Sequence, residues 1–407
     1  MTAITPRVVL GRIGGRSGRA AAATRPRVTL ARPPAYVLLC ATVAVLNVVG
    51  LVMILSASSV AALSNYGSSW YFFNRQLAWA LVGALAFVIA ARVDYHTWRR
   101  LAPGILFVAV VLLFVVLLPG VGIVVDGSRR WLGYGAMRMQ PSELAKIALL
   151  LFSADVLTRR VDALSDWRAW SPVLVVGGAL CGLVVLEPDL DSTVVFGLIA
   201  VSVLLVAGAR VKHLATLVGT GVVLSAVLAV AVPYRRARVL AFLDPWSDTS
   251  NTGYQIAQSL IALGSGGVDG VGLGAGRAKW MFLPNAHTDF IFAIIGEELG
   301  LVGCLIVLGL FAGFGVVGFH VARGAPDRYG MLLAAGVTTW VVGQATINLA
   351  AVVGLLPVSG ITLPFLSAGG SSLVFTMAGA GMLANVARQS LPRPRPPSAS
   401  PRRGTAR

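Results

Sequence analysis

The chain has 407 residues, 57% hydrophobic and only 12% charged, with a mean hydropathy of +0.81 and a formal net charge of +17 at pH 7. A soluble domain carries about 25% charged residues, so a soluble globular protein is excluded. Apolar runs of about 17–25 residues, each long enough to cross ~30 Å of hydrocarbon, recur along the sequence and define a polytopic membrane protein.

Residues 1–34 hold seven arginines and no acid. This stretch is expected to be a basic, disordered cytoplasmic tail, and no cleavable signal peptide is visible; an organelle transit peptide is the less favoured reading. An all-α membrane domain is expected over 35–389, with ten spans at about 36–55, 76–92, 101–118, 142–158, 171–186, 192–208, 213–232, 290–319, 329–351 and 371–388. Residues 390–407 are rich in Pro and Arg and read as a second disordered tail. Cys40, Cys181 and Cys304 fall inside apolar runs and read as small core residues, with no disulfide or metal pattern.

Ten spans place both tails on one side. Counting Lys and Arg, 23 fall on the tail side and nine on the other, which makes the tails cytoplasmic. Eight of those nine cluster in two loops, 119–141 and 233–289. They read either as headgroup contacts and solvated loop charge or as a site for an anionic ligand.

The loop 233–289 is far longer than a connector. Within it, GYQIAQSLIAL (253–263) is expected to be a short amphipathic helix on the membrane surface. The following SGGVDGVGLGAGR (265–277) lacks the G-x-G-x-x-G spacing, so a nucleotide site is rejected and a flexible loop expected. No nucleic-acid partner is expected.

LPNAHTDFIFAIIGEE (283–298) carries His287, Asp289, Glu297 and Glu298 where an apolar helix begins. Glu297 and Glu298 belong near the external membrane boundary. At 1.5 Å per residue, a helix over 289–297 would set Asp289 roughly 12 Å further out. Thr288 or Asp289 could cap that helix instead of serving a site. In DGSRRWLGYGAMRMQPSELAKIALL (126–150), Pro141 suits a helix start, and Glu143 and Lys146 share a face three residues apart. An ionisable pair so close to hydrocarbon is either a functional feature or a structural pair with a snorkelling lysine. Pro357, Pro364, Gly369 and Gly370 break the backbone before the last span. Such a segment is tolerated at membrane depth against protein or a water-filled cavity, and it is expected to wall one; a tight turn is the alternative.

Taken together, GSRRWLG (127–133), QPSELAK (140–146), LDPW (243–246), GYQIAQSL, FLPNAHTDFIFAIIGEELG (282–300) and LLPVSGITLPFLSAGGSS (355–372) resemble the SEDS family, which includes FtsW and RodA. The resemblance covers about residues 36–388, and IIGEELG and LDPW look more like the division branch, FtsW, than the elongation branch, RodA. It implies the ten-helix SEDS fold in the plasma membrane, with a peptidoglycan glycosyltransferase site facing outward that polymerises lipid II, in FtsW-like members at the division septum. A class B penicillin-binding protein and other divisome proteins are the implied partners. The family's active-site residues carry onto Asp289 as the catalytic base and onto Arg138 and Lys146 as ligands of the departing diphosphate. Arg130 and Trp131 match its RRW element. Glu143, His287, Glu297 and Glu298 are expected to support the site. Asn285 departs from the pattern, since many members carry an acid before the His.

A divalent cation, Mg or Mn, could share the phosphate charge, although no metal cluster is recognisable. Competing readings are a RodA-like elongation polymerase, a lipid II flippase and a non-catalytic divisome scaffold. The flippase reading calls for inverted repeats and broken helices at mid-membrane, and no convincing repeat is found.

Overall fold

The computed structural model describes residues 34–390, apart from 126, 136, 162–165, 232 and 250–252. The two predicted tails therefore lie almost entirely outside the described residues. Twelve helices occur among those described: α1 (Pro34–Tyr66), α2 (Tyr71–Arg92), α3 (Tyr95–Leu117), α4 (Pro141–Arg159), α5 (Trp167–Leu186), α6 (Leu190–Ala207), α7 (Val211–Ala231), α8 (Pro233–Leu243), α9 (Tyr254–Gly266), α10 (Ile291–Gly324), α11 (Arg328–Val352) and α12 (Gly370–Gln389). Nine of these are long and apolar enough to cross a membrane. The fourth expected span corresponds to α4, which carries Glu143, Lys146, Asp155 and Arg159 and is not among the nine. The chain is a multi-pass membrane protein.

Burial explains why α4 tolerates these charges. It is enclosed on nearly every side, with Leu149, Leu150, Leu151 and Leu157 in the interior alongside Glu143 and Lys146. α11 and α12 are the other inner helices, with Trp340 and Tyr329 among the largest fully buried side chains. Lipid tails are as apolar as leucine, so close backbone approach drives helix association here more than burial from water does. α2 and α12 make the most extensive helix pair. A Cβ added at Gly381 of α12 would stand 2.4 Å from the Phe87 carbonyl oxygen of α2, so a side chain there would push the helices apart.

The loop 119–141 contains a sheet that the all-α expectation omits. β1 (Ile123–Val125), β2 (Ser128–Tyr134) and β3 (Met137–Met139) form an antiparallel meander in the order β1-β2-β3. Ile123 pairs with Trp131 and Gly133 with Arg138, which fixes the RRW element on the central strand.

The expected helix at 253–263 is present as α9. It packs on α10 and α11 through Ile256, Ala257, Ser259 and Ala262, and so has protein against one face. The glycine-rich segment after it is not a flexible loop. Val271 N donates to the Glu297 carbonyl at 3.0 Å, and Leu301 N donates to the Gly267 carbonyl at 3.0 Å. Gly300 breaks α10 with a left-handed φ of 64°, and a Cβ there would lie 2.4 Å from Gly270 N. Glycines are needed on both sides of this contact because two backbones meet without room for a side chain.

Candidate functional site

A cavity of about 300 Å³ lies where α2, the sheet, the N-terminal ends of α4, α6 and α12, and the loops 285–289 and 360–370 converge. Of the predicted site residues, Asp289, Arg138, Lys146, Arg130, Trp131, Glu143 and His287 all line it. The segment before α12 contributes Gly360, Ile361, Thr362, Gly369 and Gly370 to the wall.

Its cations fall into two kinds. Lys146 is 2% exposed and donates to Glu143 Oε1 at 2.9 Å and to Gln344 Oε1 at 3.2 Å. Gln344 Nε2 donates in turn to the Thr362 carbonyl at 3.0 Å, so the buried lysine is tied through α11 to the cavity wall. The structural-pair reading of Glu143 and Lys146 is correct as geometry, and the pair nevertheless faces the cavity. Arg130 stands 3.7 Å from Asp189. The Arg138 side chain, on β3, makes a single hydrogen bond among the described residues, from Nε to the Gly135 carbonyl at 3.1 Å, and no ion pair.

Asp189 was not picked out from the sequence. It caps α6, accepting from Ser192 N at 3.1 Å and Ser192 Oγ at 2.7 Å, and also accepts from Gln140 Nε2 at 2.8 Å. It thus ties α6 to the residue that precedes α4. Beside it, Glu187 is fully buried with neither carboxylate oxygen hydrogen-bonded. Burial, reinforced by the nearby Asp189 charge, pushes Glu187 up to about 8, so it is protonated at neutral pH. The signal was legible: LEPDLD (186–191) sets three acids between two apolar spans.

The turn 285–289 places Asp289. The N-cap of α10 is Phe290, so Thr288 and Asp289 stand outside the helix and the predicted helical rise over 289–297 does not apply. Asn285 takes a left-handed φ of 55° and its carbonyl accepts from Thr288 N at 3.0 Å. Asn adopts this conformation more readily than most residues, which is a structural reason for the position that departs from the family pattern. Asn348 Nδ2 donates to the Asp289 carbonyl at 2.8 Å and to the Ile361 carbonyl at 2.7 Å. His287 packs on Phe72 with ring centroids 4.5 Å apart. Burial, with the Arg75 charge, pushes His287 down to about 4 and keeps it neutral.

Glu297 and Glu298 do not reach this cavity. Glu297 accepts from Arg277 N at 2.6 Å and from Ala278 N at 3.1 Å. Glu298, fully buried, accepts from Ser56 Oγ at 2.7 Å and pairs with Lys279 Nζ at 3.1 Å. Both brace the glycine-rich segment against α10 and α1.

The fold and this cavity define a polytopic membrane protein with a charge-lined chamber at one end of its helices. The profile of the FtsW/RodA/SpoVE family, described as "Cell cycle protein", matches residues 36–391, and the chain belongs to that family. The probable peptidoglycan glycosyltransferase FtsW of Geobacter metallireducens is 41% identical over 338 residues, covering 83% of this chain and 90% of the relative. A chain from a solved peptidoglycan synthase complex that coordinates polymerization and crosslinking superposes with a TM-score of 0.72 at 30% identity, over 86% of this chain and 97% of that one. The rod shape-determining protein RodA of Thermus thermophilus gives a TM-score of 0.65 at 28% identity, over 89% and 98%.

Proposed function

We propose that this chain is an FtsW-like peptidoglycan glycosyltransferase that joins lipid II molecules at the outer face of the plasma membrane. The observation that carries the reading is the convergence of Asp289, Arg130, Arg138 and Lys146 on one cavity. Family membership and the FtsW relative support the activity and favour the division branch.

In the reaction, the 4-hydroxyl oxygen of one lipid-linked sugar attacks the anomeric carbon of another. The new glycosidic bond forms as the bond from that carbon to the diphosphate oxygen breaks, with inversion. The hydroxyl proton passes to the Asp289 carboxylate, and the bonding electron pair leaves on the lipid diphosphate. Arg138 has no competing acid and meets the departing charge directly, while Lys146 and Arg130 add positive potential from their ion pairs. Among the described residues no three His, Cys, Asp or Glu side chains gather as a cation-holding group.

The basic-residue count supports cytoplasmic tails and an outward cavity. A septal location and a class B penicillin-binding protein partner follow from the division-branch reading, and the synthase-complex neighbour supports such a pairing. The test is polymerisation of lipid II by the purified chain, with and without a class B transpeptidase. Absence of glycan in both reactions rejects the reading. Orientation is tested with single cysteines in intact cells. One at Ser265 should react with an impermeant thiol reagent and one at Ser390 should not; the reverse pattern rejects it.

A further inference from the structure

At the end of the helices away from the cavity, one imidazole sits between two helix caps. Asp94 caps α3, accepting from His96 N at 2.7 Å, and Asp327 caps α11, accepting from Gly330 N at 2.7 Å. The His96 ring bridges them, with Nδ1 2.7 Å from Asp94 Oδ1 and Nε2 2.7 Å from Asp327 Oδ2. Neutral histidine carries one N–H and would set a bare nitrogen against one of these oxygens, whereas imidazolium donates to both. A protonated carboxyl could supply the missing donor, but both acids are held below the usual carboxylate range. The His96 backbone N–H does this for Asp94. For Asp327 burial acts upward, and hydrogen bonds from Gly330 N, Tyr95 Oη and His96 outweigh it.

The charged groups around the ring are otherwise engaged or exposed. Tyr95 packs on it with ring centroids 4.2 Å apart and donates to Asp327 Oδ2. Gln389 of α12 reaches the other Asp94 oxygen at 3.4 Å. Arg388 donates to the Arg92 carbonyl and Arg328 to the Ala207 carbonyl, while Arg99 pairs with Asp155 and lies over the Tyr329 ring. Arg92, Arg100 one turn along α3 from His96, and Arg323 in the last turn of α10 are exposed. The His96 side chain is 44% exposed, so protons reach it from solvent.

The bridge bears on the cavity through α11. Gln344 and Asn348 stand roughly 26 and 32 Å along that helix from Asp327, at 1.5 Å per residue. Gln344 accepts from Lys146 at 3.2 Å, and Asn348 donates to the Asp289 carbonyl at 2.8 Å. α11 is packed against α4, α6, α10 and α12, so a displacement of its first turn is carried to these two amides. We propose that the Asp94–His96–Asp327 bridge is a proton-operated latch. The imidazolium joins the caps of α3 and α11 and holds α11 where Gln344 and Asn348 assemble the cavity. Loss of the proton leaves one N–H for two carboxylates, and the bare ring nitrogen repels the cap it faces. In the orientation proposed above, the latch senses the cytoplasm and acts on the outer face of the membrane.

The test uses the full chain with isotope-labelled His, Asn and Gln side chains, read by nitrogen NMR from about pH 5 to 8. His96→Arg removes the His96 signal from those of the four histidines and so identifies it. The His96 ring should be doubly protonated at the acid end, and the Gln344 and Asn348 amide signals should move in step as it loses its proton. In His96→Arg, a permanently charged fork of N–H donors, both amide signals should keep their acid positions throughout. A His96 ring that stays neutral, or stays charged, across the range overturns the latch. So do amide signals that ignore the ring, or that titrate equally in His96→Arg. These readings need no substrate and are independent of the polymerase reading. In lipid II polymerisation, the wild-type rate relative to His96→Arg should fall by about fivefold or more from the acid to the basic end; a constant ratio overturns the effect on the cavity.

Discussion

Asn348 holds Asp289 by its backbone: the α11 amide donates at 2.8 Å to the Asp289 carbonyl and at 2.7 Å to that of Ile361, joining two walls of the cavity. The carboxylate proposed as base is therefore positioned from beneath by a residue that does not line the cavity. Asn348→Ala frees both carbonyls and lets the turn 285–289 shift. A misplacement of about 1 Å can cost ~10²-fold in rate, so kcat for lipid II should fall by that order while KM changes little. Steady-state kinetics on well-inserted protein checks this, and a KM effect with normal kcat would contradict it.

Lys279 and Glu298 form the second internal brace. Both are buried, 6% and 0% exposed, and they meet at 3.1 Å, with Ser56 of α1 donating to the same carboxylate. Removing one partner of such a pair leaves a buried charge alone, at a cost of about 3–5 kcal/mol. Lys279→Met or Glu298→Leu alone should lower the thermal midpoint in detergent markedly, and the double variant should recover much of it. Equal losses in the singles and the double would mean that packing matters here more than charge.

How far the sequence anticipates this arrangement depends on the kind of signal. Apolar run length is a one-dimensional property, and the ten expected spans fall on helices, nine of which are long and apolar enough to cross a membrane. The sheet was missed because strands of three and seven residues carry little pattern, although Asp126–Gly127 is a recognised hairpin dipeptide. Asp289 and Arg138 were found through family motifs, whereas their convergence is three-dimensional. Arg75 and Trp79 stand four residues apart on α2, but a Lys and Arg count registers charge and side, not which helix face a residue takes. Glu297 and Glu298 were drawn toward Asp289 by proximity along the chain, and Gly300 and Gly270 show why they belong to a different contact. The glycine-rich segment was misread because composition alone does not separate glycines that permit motion from glycines that permit close packing.

Stability should carry the signature of Glu187. A free glutamate titrates near about 4.3, whereas in the folded chain burial pushes Glu187 up to about 8. Between those values the folded chain keeps a proton that the unfolded chain has lost, so stability falls as pH rises through the window. His287 acts with the opposite sign lower down. Its free value is about 6.5 and its folded value about 4, so its contribution is present above about 6.5 and lost as pH falls toward 4. Between about pH 6.5 and 8 the His287 contribution is constant, so of the two only Glu187 gives a slope. The thermal midpoint should decline across that interval in the wild type and flatten in Glu187→Gln, which keeps the shape of the protonated acid. Parallel slopes would show that Glu187 does not hold its proton.

Asp289 is the centre of the proposed chemistry, and its substitution separates the base from a purely structural role. Because Phe290 is the N-cap of α10, and because Asn348 grips the Asp289 carbonyl, the local fold depends on the backbone at 289. Asp289→Asn retains that backbone and nearly the same volume, so the variant should insert and fold. It lacks the proton acceptor, which typically contributes ~10²–10⁴-fold to rate, and glycan synthesis should fall by that order or below detection. Asp289→Glu keeps the carboxylate but moves it by more than about 1 Å on an added methylene, so it should also be poor. A structural role makes the contrary forecast, with Asn near normal and only bulk tolerated badly. Wild-type rates of lipid II polymerisation from well-inserted Asp289→Asn would therefore remove Asp289 as the base and leave the proton without a defined acceptor.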